Sequence, residues 1–251
     1  MLAARINGLK IWLQCHPNPT YRNLFLILKK IRMFELPTPK VLNKAIYGLY
    51  KLTSSLWQSL VRIIFHTPAF KGRLDKFGKG LYLYGGIPFV SGPLSITLGD
   101  NCRVSGQTTF SGRTLTTQPT LVVGDNVDIG WQTTIAVGST VIIEDNVRIA
   151  GRAFIFGYSG HPLDAKRRAL GEADDESQVG DVVLKRDVWL GTNVTIRQGV
   201  TVGEGAVIAA GSVVVSDIPA NVIAAGNPAK VIKPIISAAT AENQTEENYH
   251  A

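Results

Sequence analysis

Two cysteines, Cys15 and Cys102, stand in 251 residues, far apart and outside any paired metal-ligand spacing. The chain therefore indicates neither a disulfide framework nor a zinc site, and reducing, cytoplasmic surroundings suit it. Acidic residues are almost missing from the first third: residues 1–80 hold 14 Lys and Arg against 2 Asp and Glu, whereas residues 81–251 hold 12 against 17. The formal charge of +7 thus belongs to the N-terminal third, while the remainder is mildly acidic. With no recognisable base-reading motif, nucleic acid is not an expected partner. Long uncharged apolar runs are also lacking. Residues 1–33 alternate apolar clusters with Arg5, Lys10, Arg22, Lys29, Lys30 and Arg32, and none approaches the ~20 residues needed to span a bilayer. Arg5 and Lys10 interrupt the apolar core that a cleavable signal would need. Apolar residues still make up 45% of the chain, enough for a sizeable core.

Pro37 and Pro39 break the N-terminal pattern. Leu42, Ala45, Ile46, Leu49, Leu52, Leu56, Trp57, Leu60 and Ile63 then follow helical spacing, with Lys44, Lys51, Gln58 and Arg62 elsewhere on the wheel. Residues 1–80 read as a basic, amphipathic helical region. Two readings of the apolar face stay open. It packs on the end or side of the following domain and covers an open edge, or residues 1–66 hold the chain as a peripheral protein on the anionic inner face of the cytoplasmic membrane. Residues 69–97, rich in Gly and aromatics, suggest irregular strands without a site.

Leu184, Leu190, Ile196, Val202, Ile208 and Val214 recur every six positions, a period that fits neither a lone helix nor an alternating strand. The fifth residue of each hexad is small or β-branched: Val188, Val194, Val200, Ala206, Ser212 and Ile218. Six residues cannot bury their own apolar side chain, so such units are stable only when stacked about 4.8 Å apart, like over like. Upstream, Val123, Ile129 and Ile135 form one set, Ile143, Ile149 and Ile155 a second, and Leu98, Val104 and Phe110 a degenerate first. Three hexads per set, with changed steps between sets, imply three-sided coils from about Leu98 to Ser216. Beyond them, Pro219 and Pro228 are expected to prevent regular pairing. The excursion Gly157–Asp181 reads as a long loop without secondary structure of its own, which is usually functional or disordered. A lone histidine is more often an ordinary surface residue than a functional one, but this loop holds His161, the only histidine of the repeat body.

Several motifs follow one another in order: Gly160-His161-Pro162-Leu163-Asp164, Arg168 with Gly171-Glu172, Asp187-Val188-Trp189-Leu190-Gly191, Gly199-Val200-Thr201-Val202-Gly203 and Ala225-Gly226-Asn227-Pro228-Ala229-Lys230-Val231-Ile232-Lys233. Together with the hexads they resemble the hexapeptide-repeat acetyltransferases, both the galactoside and maltose O-acetyltransferases and the colanic-acid-type polysaccharide enzymes, over about residues 95–233. The resemblance implies a mainly β fold, a left-handed parallel β-helix over 81–233; the residue pattern puts the helical region before it, and small, polar composition a flexible tail at 234–251 after it. It also implies a homotrimer whose active sites lie between subunits. The implied activity is transfer of acetyl from acetyl-CoA to a sugar hydroxyl of a surface or exported polysaccharide, or of its lipid-linked precursor.

His161 would be the general base, since imidazole titrates in the range needed to accept an alcohol proton and return it to a leaving thiolate. Neither cysteine lies in the matching motifs, so no acyl-cysteine intermediate is expected. The resemblance assigns the Thr192 N–H, after Trp189 and Gly191, to the oxyanion. It assigns Gly191, Thr192 and Ala210 to the pantetheine arm and Lys230 and Lys233 to the phosphates, with Ser216 standing where the family commonly has a lysine. Trp189 equally reads as an outer residue at a subunit contact. On the acceptor side Asp128 and Gln132 flank the aligned Gly130, and Arg168 reads either as a group orienting His161 or the acceptor, or as a solvated loop residue. Rival readings are N-acetylation of an amino-sugar nucleotide and a non-catalytic β-helix scaffold. A metal-dependent reaction on this fold would need three histidines on neighbouring coils, and no metal is expected.

Overall fold

A computed structural model describes residues 2–235. Its contacts divide the chain at Ser55/Leu56 into two units. In the first, α1 (Leu2–Cys15) packs against α2 (Pro19–Arg32), and α3 (Lys40–Val61) begins. Asn18 starts α2 by accepting the Thr20 N–H at 2.9 Å, and Pro19 at the first position loses no helical bond. Leu13 is the only buried residue among the described side chains of these three helices. The amphipathic stripe expected over 42–63 is present on α3, but it buries nothing. The β-helix end is covered by α4 (Thr67–Lys71), which follows a π-helical turn at Arg62–His66. Its Phe70 is buried and stacks on Phe110 at 6.4 Å between ring centres, joined in the core by Leu74.

The second unit is a parallel β-helix. The first coil comprises β1 (Lys76–Phe77), β2 (Tyr82–Tyr84) and β3 (Phe89–Ser91), the second β4 (Ser95–Leu98), β5 (Arg103–Ser105) and β6 (Thr109–Gly112). The third holds β7 (Thr120–Val123), β8 (Asp128–Ile129) and β9 (Thr134–Val137), the fourth β10 (Thr140–Ile143), β11 (Arg148–Ile149) and β12 (Phe154–Phe156). After the long excursion come β13 (Val182–Leu184), β14 (Trp189–Leu190) and β15 (Thr195–Ile196), then β16 (Thr201–Val202), β17 (Val207–Ile208) and β18 (Val213–Val214). A partial seventh coil ends in the hairpin of β19 (Val222–Gly226) and β20 (Ala229–Pro234). Through β18 every third strand pairs, and β19 with antiparallel β20 extends the second face, which gives three faces of 6, 8 and 6 strands. The left-handed parallel β-helix that the resemblance implies is this architecture.

Like stacks on like. Leu98, Val123, Ile143, Leu184 and Val202 register on the first face, Val104, Ile129, Ile149, Leu190 and Ile208 on the second, and Phe110, Ile135, Ile155, Ile196 and Val214 on the third. All are buried. The fifth-position residues Val188, Val194, Val200, Ala206, Ser212 and Ile218 fill the corners of the same core. Between the first and second faces, each backbone turn is tied to the next: Asp100 Oδ1 accepts from Lys79 N, Asp125 Oδ1 from Asp100 N, and Asp145 Oδ1 from Asp125 N, at 2.7–2.8 Å.

Three expectations are corrected. The coils begin at Lys76, not Leu98: Phe77, Leu83 and Val90 lie in register under Leu98, Val104 and Phe110, but irregular spacing hides the repeat. Regular pairing also outlasts Pro219, because Ile218 bridges Val202 and Ala224 stacks on Ile208, while Pro228 sits in the hairpin turn where no ladder bond is needed. The excursion carries structure, namely α5 (Ala165–Ala169), capped by Asp164 accepting Arg167 N–H at 2.8 Å, and a 3-10 turn at Glu176–Gln178. Of the tail expected at 234–251, residues 236–251 lie outside the described residues.

Candidate active site

The excursion leaves the corner between the third and first faces, after β12, and returns to β13. Its neck is closed by an antiparallel bridge of Tyr158 with Val179 and by Gly180 N–H donating to Gly157 O at 3.0 Å. Asp181 fastens the return, accepting from the Ser139 hydroxyl and from Thr140 N–H at 2.9 Å. At the same corner, two coils earlier, a shorter insertion at 113–119 interrupts the step from Phe110 to Val123. The two insertions enclose a cleft of about 500 Å³, whose walls include Thr114 and Leu115 on one side and Tyr158, His161, Glu172 and Asp174 on the other.

His161 is exposed on this cleft, and its imidazole makes no hydrogen bond to another described residue. Its backbone carbonyl accepts from the Ser159 hydroxyl at 2.9 Å. Arg168 donates to the Pro162 and Leu163 carbonyls, both at 2.9 Å, so it braces the turn just after His161 rather than contacting the imidazole. Glu172 is engaged by Arg167 at 2.7 Å, and Asp174 by Arg113 at 3.0 Å. Neither carboxylate is available to orient the imidazole in this arrangement.

Arg113 is the residue that the hexads did not reveal. Its side chain is 3% exposed, and its guanidinium holds Asp174 through Nε and Glu176 through Nη1 at 2.7 Å. Burial works against the charge, but the hydrogen bonds to Glu176 and Asp174 outweigh it and hold the guanidinium above its ordinary value. The arginine thus clamps the excursion to the coil beneath. The only sequence signal was the thirteen-residue step from Phe110 to Val123.

The remaining assigned residues lie elsewhere. Trp189 is exposed on the second face. Gly191, Thr192 and Ala210 form the corner between the second and third faces, where Thr192 O accepts from Gly211 N–H at 2.9 Å. The Thr192 N–H donates to no group among the described residues. A Cβ on Gly191 would lie 2.6 Å from Ala210 N, so stacking of adjacent turns already demands glycine there, without a ligand. Lys230 and Lys233 are exposed on β20, at the end of the second face, and neither forms an ion pair among the described residues. Asp128, on β8, pairs with Arg103 at 3.4 Å, and Gln132 accepts from Arg152 at 3.1 Å at the corner after it. The topology therefore puts His161 and Arg168 at one corner, and Asp128, Gln132 and the residues assigned to the coenzyme on the second face and its far corner. Cys102 is buried in the core, where desolvation pushes its thiol up and removes it as a nucleophile.

Residues 181–216 match the family described as bacterial transferase hexapeptide (six repeats). Three curated proteins are similar. YJL218W of Saccharomyces cerevisiae is 44% identical over 130 residues, 51% of this chain and 61% of that protein. The galactoside O-acetyltransferase of Escherichia coli K12 is 37% identical over 139 residues, 55% of this chain and 64% of the enzyme. The polysialic acid O-acetyltransferase of Escherichia coli O1:K1 is 39% identical over 120 residues, 44% of this chain and 37% of the enzyme. The chain thus spans less than two thirds of each relative's length. Among solved structures, a mutant of AntD, an N-acyltransferase from Bacillus cereus in complex with dTDP-4-amino-4,6-dideoxyglucose and coenzyme A, superposes with a TM-score of 0.57. It is 22% identical, and the match covers 74% of this chain and 96% of that one, a likeness of fold. The repeat matched at 181–216 agrees with the coils, and two of the similar proteins are named O-acetyltransferases.

Proposed function

We propose that this protein transfers an acetyl group from acetyl-CoA to a sugar hydroxyl of a surface or exported polysaccharide or of its lipid-linked precursor, with His161 as general base. The observation that carries the reading is His161 itself, exposed on a cleft between two insertions of a hexapeptide β-helix. Its relatives include two sugar O-acetyltransferases, one of them named for a polysaccharide. In the reaction, an imidazole nitrogen takes the hydroxyl proton as the oxygen attacks the thioester carbonyl. The carbonyl oxygen becomes an oxyanion, for which the unpaired Thr192 N–H is a donor. Collapse breaks the carbon–sulfur bond, and the imidazolium returns its proton to the departing thiolate.

Within one chain the width of the third face separates the His161 corner from the Thr192 corner, so a site using both needs a second copy. A homotrimer, with His161 of one subunit facing the Trp189–Thr192 corner of the next, satisfies that requirement. Lys230 and Lys233, uncompensated at the end of the same face, suit the coenzyme phosphates as point charges. Arg168, Asp128 and Gln132 remain the acceptor-side candidates, with Arg168 acting through the backbone it braces.

The test is to incubate purified protein and labelled acetyl-CoA with oligosaccharides, lipid-linked sugars and amino-sugar nucleotides, and to locate the label by mass spectrometry. Label on a sugar oxygen supports the proposal. Label on nitrogen replaces it with N-acetylation, and no transfer to any acceptor leaves the scaffold reading.

A further inference from the structure

The first three helices expose more apolar side chain than they bury, and every exposed stripe is set among cations. On α3, Leu42, Leu49 and Leu56 recur at seven-residue spacing with Ile46, Leu52, Trp57 and Leu60 beside them, and all are exposed. Lys44 and Lys51 lie on the opposite side of the wheel. On α2, Phe25 and Leu28 turn towards α1, but Leu24, Ile27 and Ile31 form a second apolar face that α1 does not cover. Residues 2–55 carry nine Lys and Arg and one acidic residue, Glu35. No helix among the described residues is long and apolar enough to cross a membrane.

We propose that α1–α3 bind the surface of an anionic lipid bilayer, with the α3 stripe and the outer face of α2 inserted at the headgroup boundary. Two occupants could cover such faces, lipid or further copies of this chain, and charge decides between them. The seven-residue spacing on α3 would also suit a coiled coil, but α3 contains no Asp or Glu at all. A bundle of identical helices would gather only cations, with no opposite charges at its flanks to set the pairing. Anionic headgroups supply the missing charge, and Trp57 has the amphipathic ring favoured at that boundary.

The experiment is flotation of the full-length protein with vesicles of phosphatidylcholine alone or with 30% phosphatidylserine as the probe (about a third anionic, as suits a cytoplasmic-leaflet mimic). Full-length protein floats with the anionic vesicles and poorly with the neutral ones. Lys44→Gln with Lys51→Gln weakens partition about 30-fold, and Leu49→Asp with Leu56→Asp abolishes it, while both variants keep the wild-type mass in lipid-free solution and wild-type acetyl transfer to a water-soluble acceptor. These four leucine and lysine positions are exposed, so the fold does not depend on them. Absence of flotation with anionic vesicles, or flotation indifferent to Leu49→Asp with Leu56→Asp, overturns the proposal. So does a lower oligomeric mass in the aspartate variant, which would make the stripe a contact between copies.

Discussion

His161 and Arg113 are separated in sequence but share one cleft, and they fail in different ways when removed. His161 is exposed and bonded to its surroundings only through its backbone, so His161→Ala should leave the thermal midpoint unchanged. Loss of a general base costs ~10²–10⁴-fold in rate, and the acetyl-transfer assay reads that loss directly. Wild-type turnover in the variant would end its assignment. Arg113→Ala acts on stability instead. It leaves Asp174, whose side chain is 5% exposed, without its partner, and breaking a buried pair from one side costs ~3–5 kcal/mol. The denaturation midpoint should fall accordingly, and Arg113→Ala with Asp174→Ala should recover part of the loss, since the stranded charge is gone. A double variant no better than the single one would show that the clamp does not act as a pair.

At the scale of the element, the coil is held by inward columns and by tied corners. Ile196 lies in the third-face column between Ile155 and Val214. Ile196→Asp puts a carboxylate there without a partner, a penalty of several kcal/mol against a total stability of ~5–15 kcal/mol. Misfolding is expected, and a soluble variant with unaltered melting would place that residue outside the core. The corner between the first and second faces behaves more mildly. The Lys185 ammonium, followed by the Arg186 backbone N–H, holds the Glu144 carboxyl below its ordinary range. That contribution is therefore present above the ordinary carboxylate range and is lost as pH falls through the lowered value. The coenzyme contacts proposed on β20 give a separate prediction. Lys230→Ala with Lys233→Ala should weaken acetyl-CoA binding and flatten its salt dependence, while turnover at saturating coenzyme survives. An unchanged coenzyme affinity would mean the phosphates lie elsewhere.

For the whole molecule, a site shared between copies makes a prediction that no single-chain site shares. Chains carrying His161→Ala and chains carrying Ala210→Trp, each inactive alone, should regain part of the activity when assembled together. Some mixed interfaces then pair an intact histidine with an intact corner. No recovery in mixed trimers would place the whole site within one chain. The hexads from Leu184 to Val214 were enough to specify stacking, because a six-residue period has no stable solution except like over like. The run around His161 was singled out from the sequence because its residues are contiguous. Hidden from the sequence were the first coil, whose register from Phe77 to Val90 is set by pairing with the second rather than by even spacing, and the Arg113 clamp, which joins residues 61 positions apart. The separation of His161 from Thr192 by a face of the helix was hidden as well. These features depend on which corner each insertion leaves from, and a corner exists only once the coils have closed.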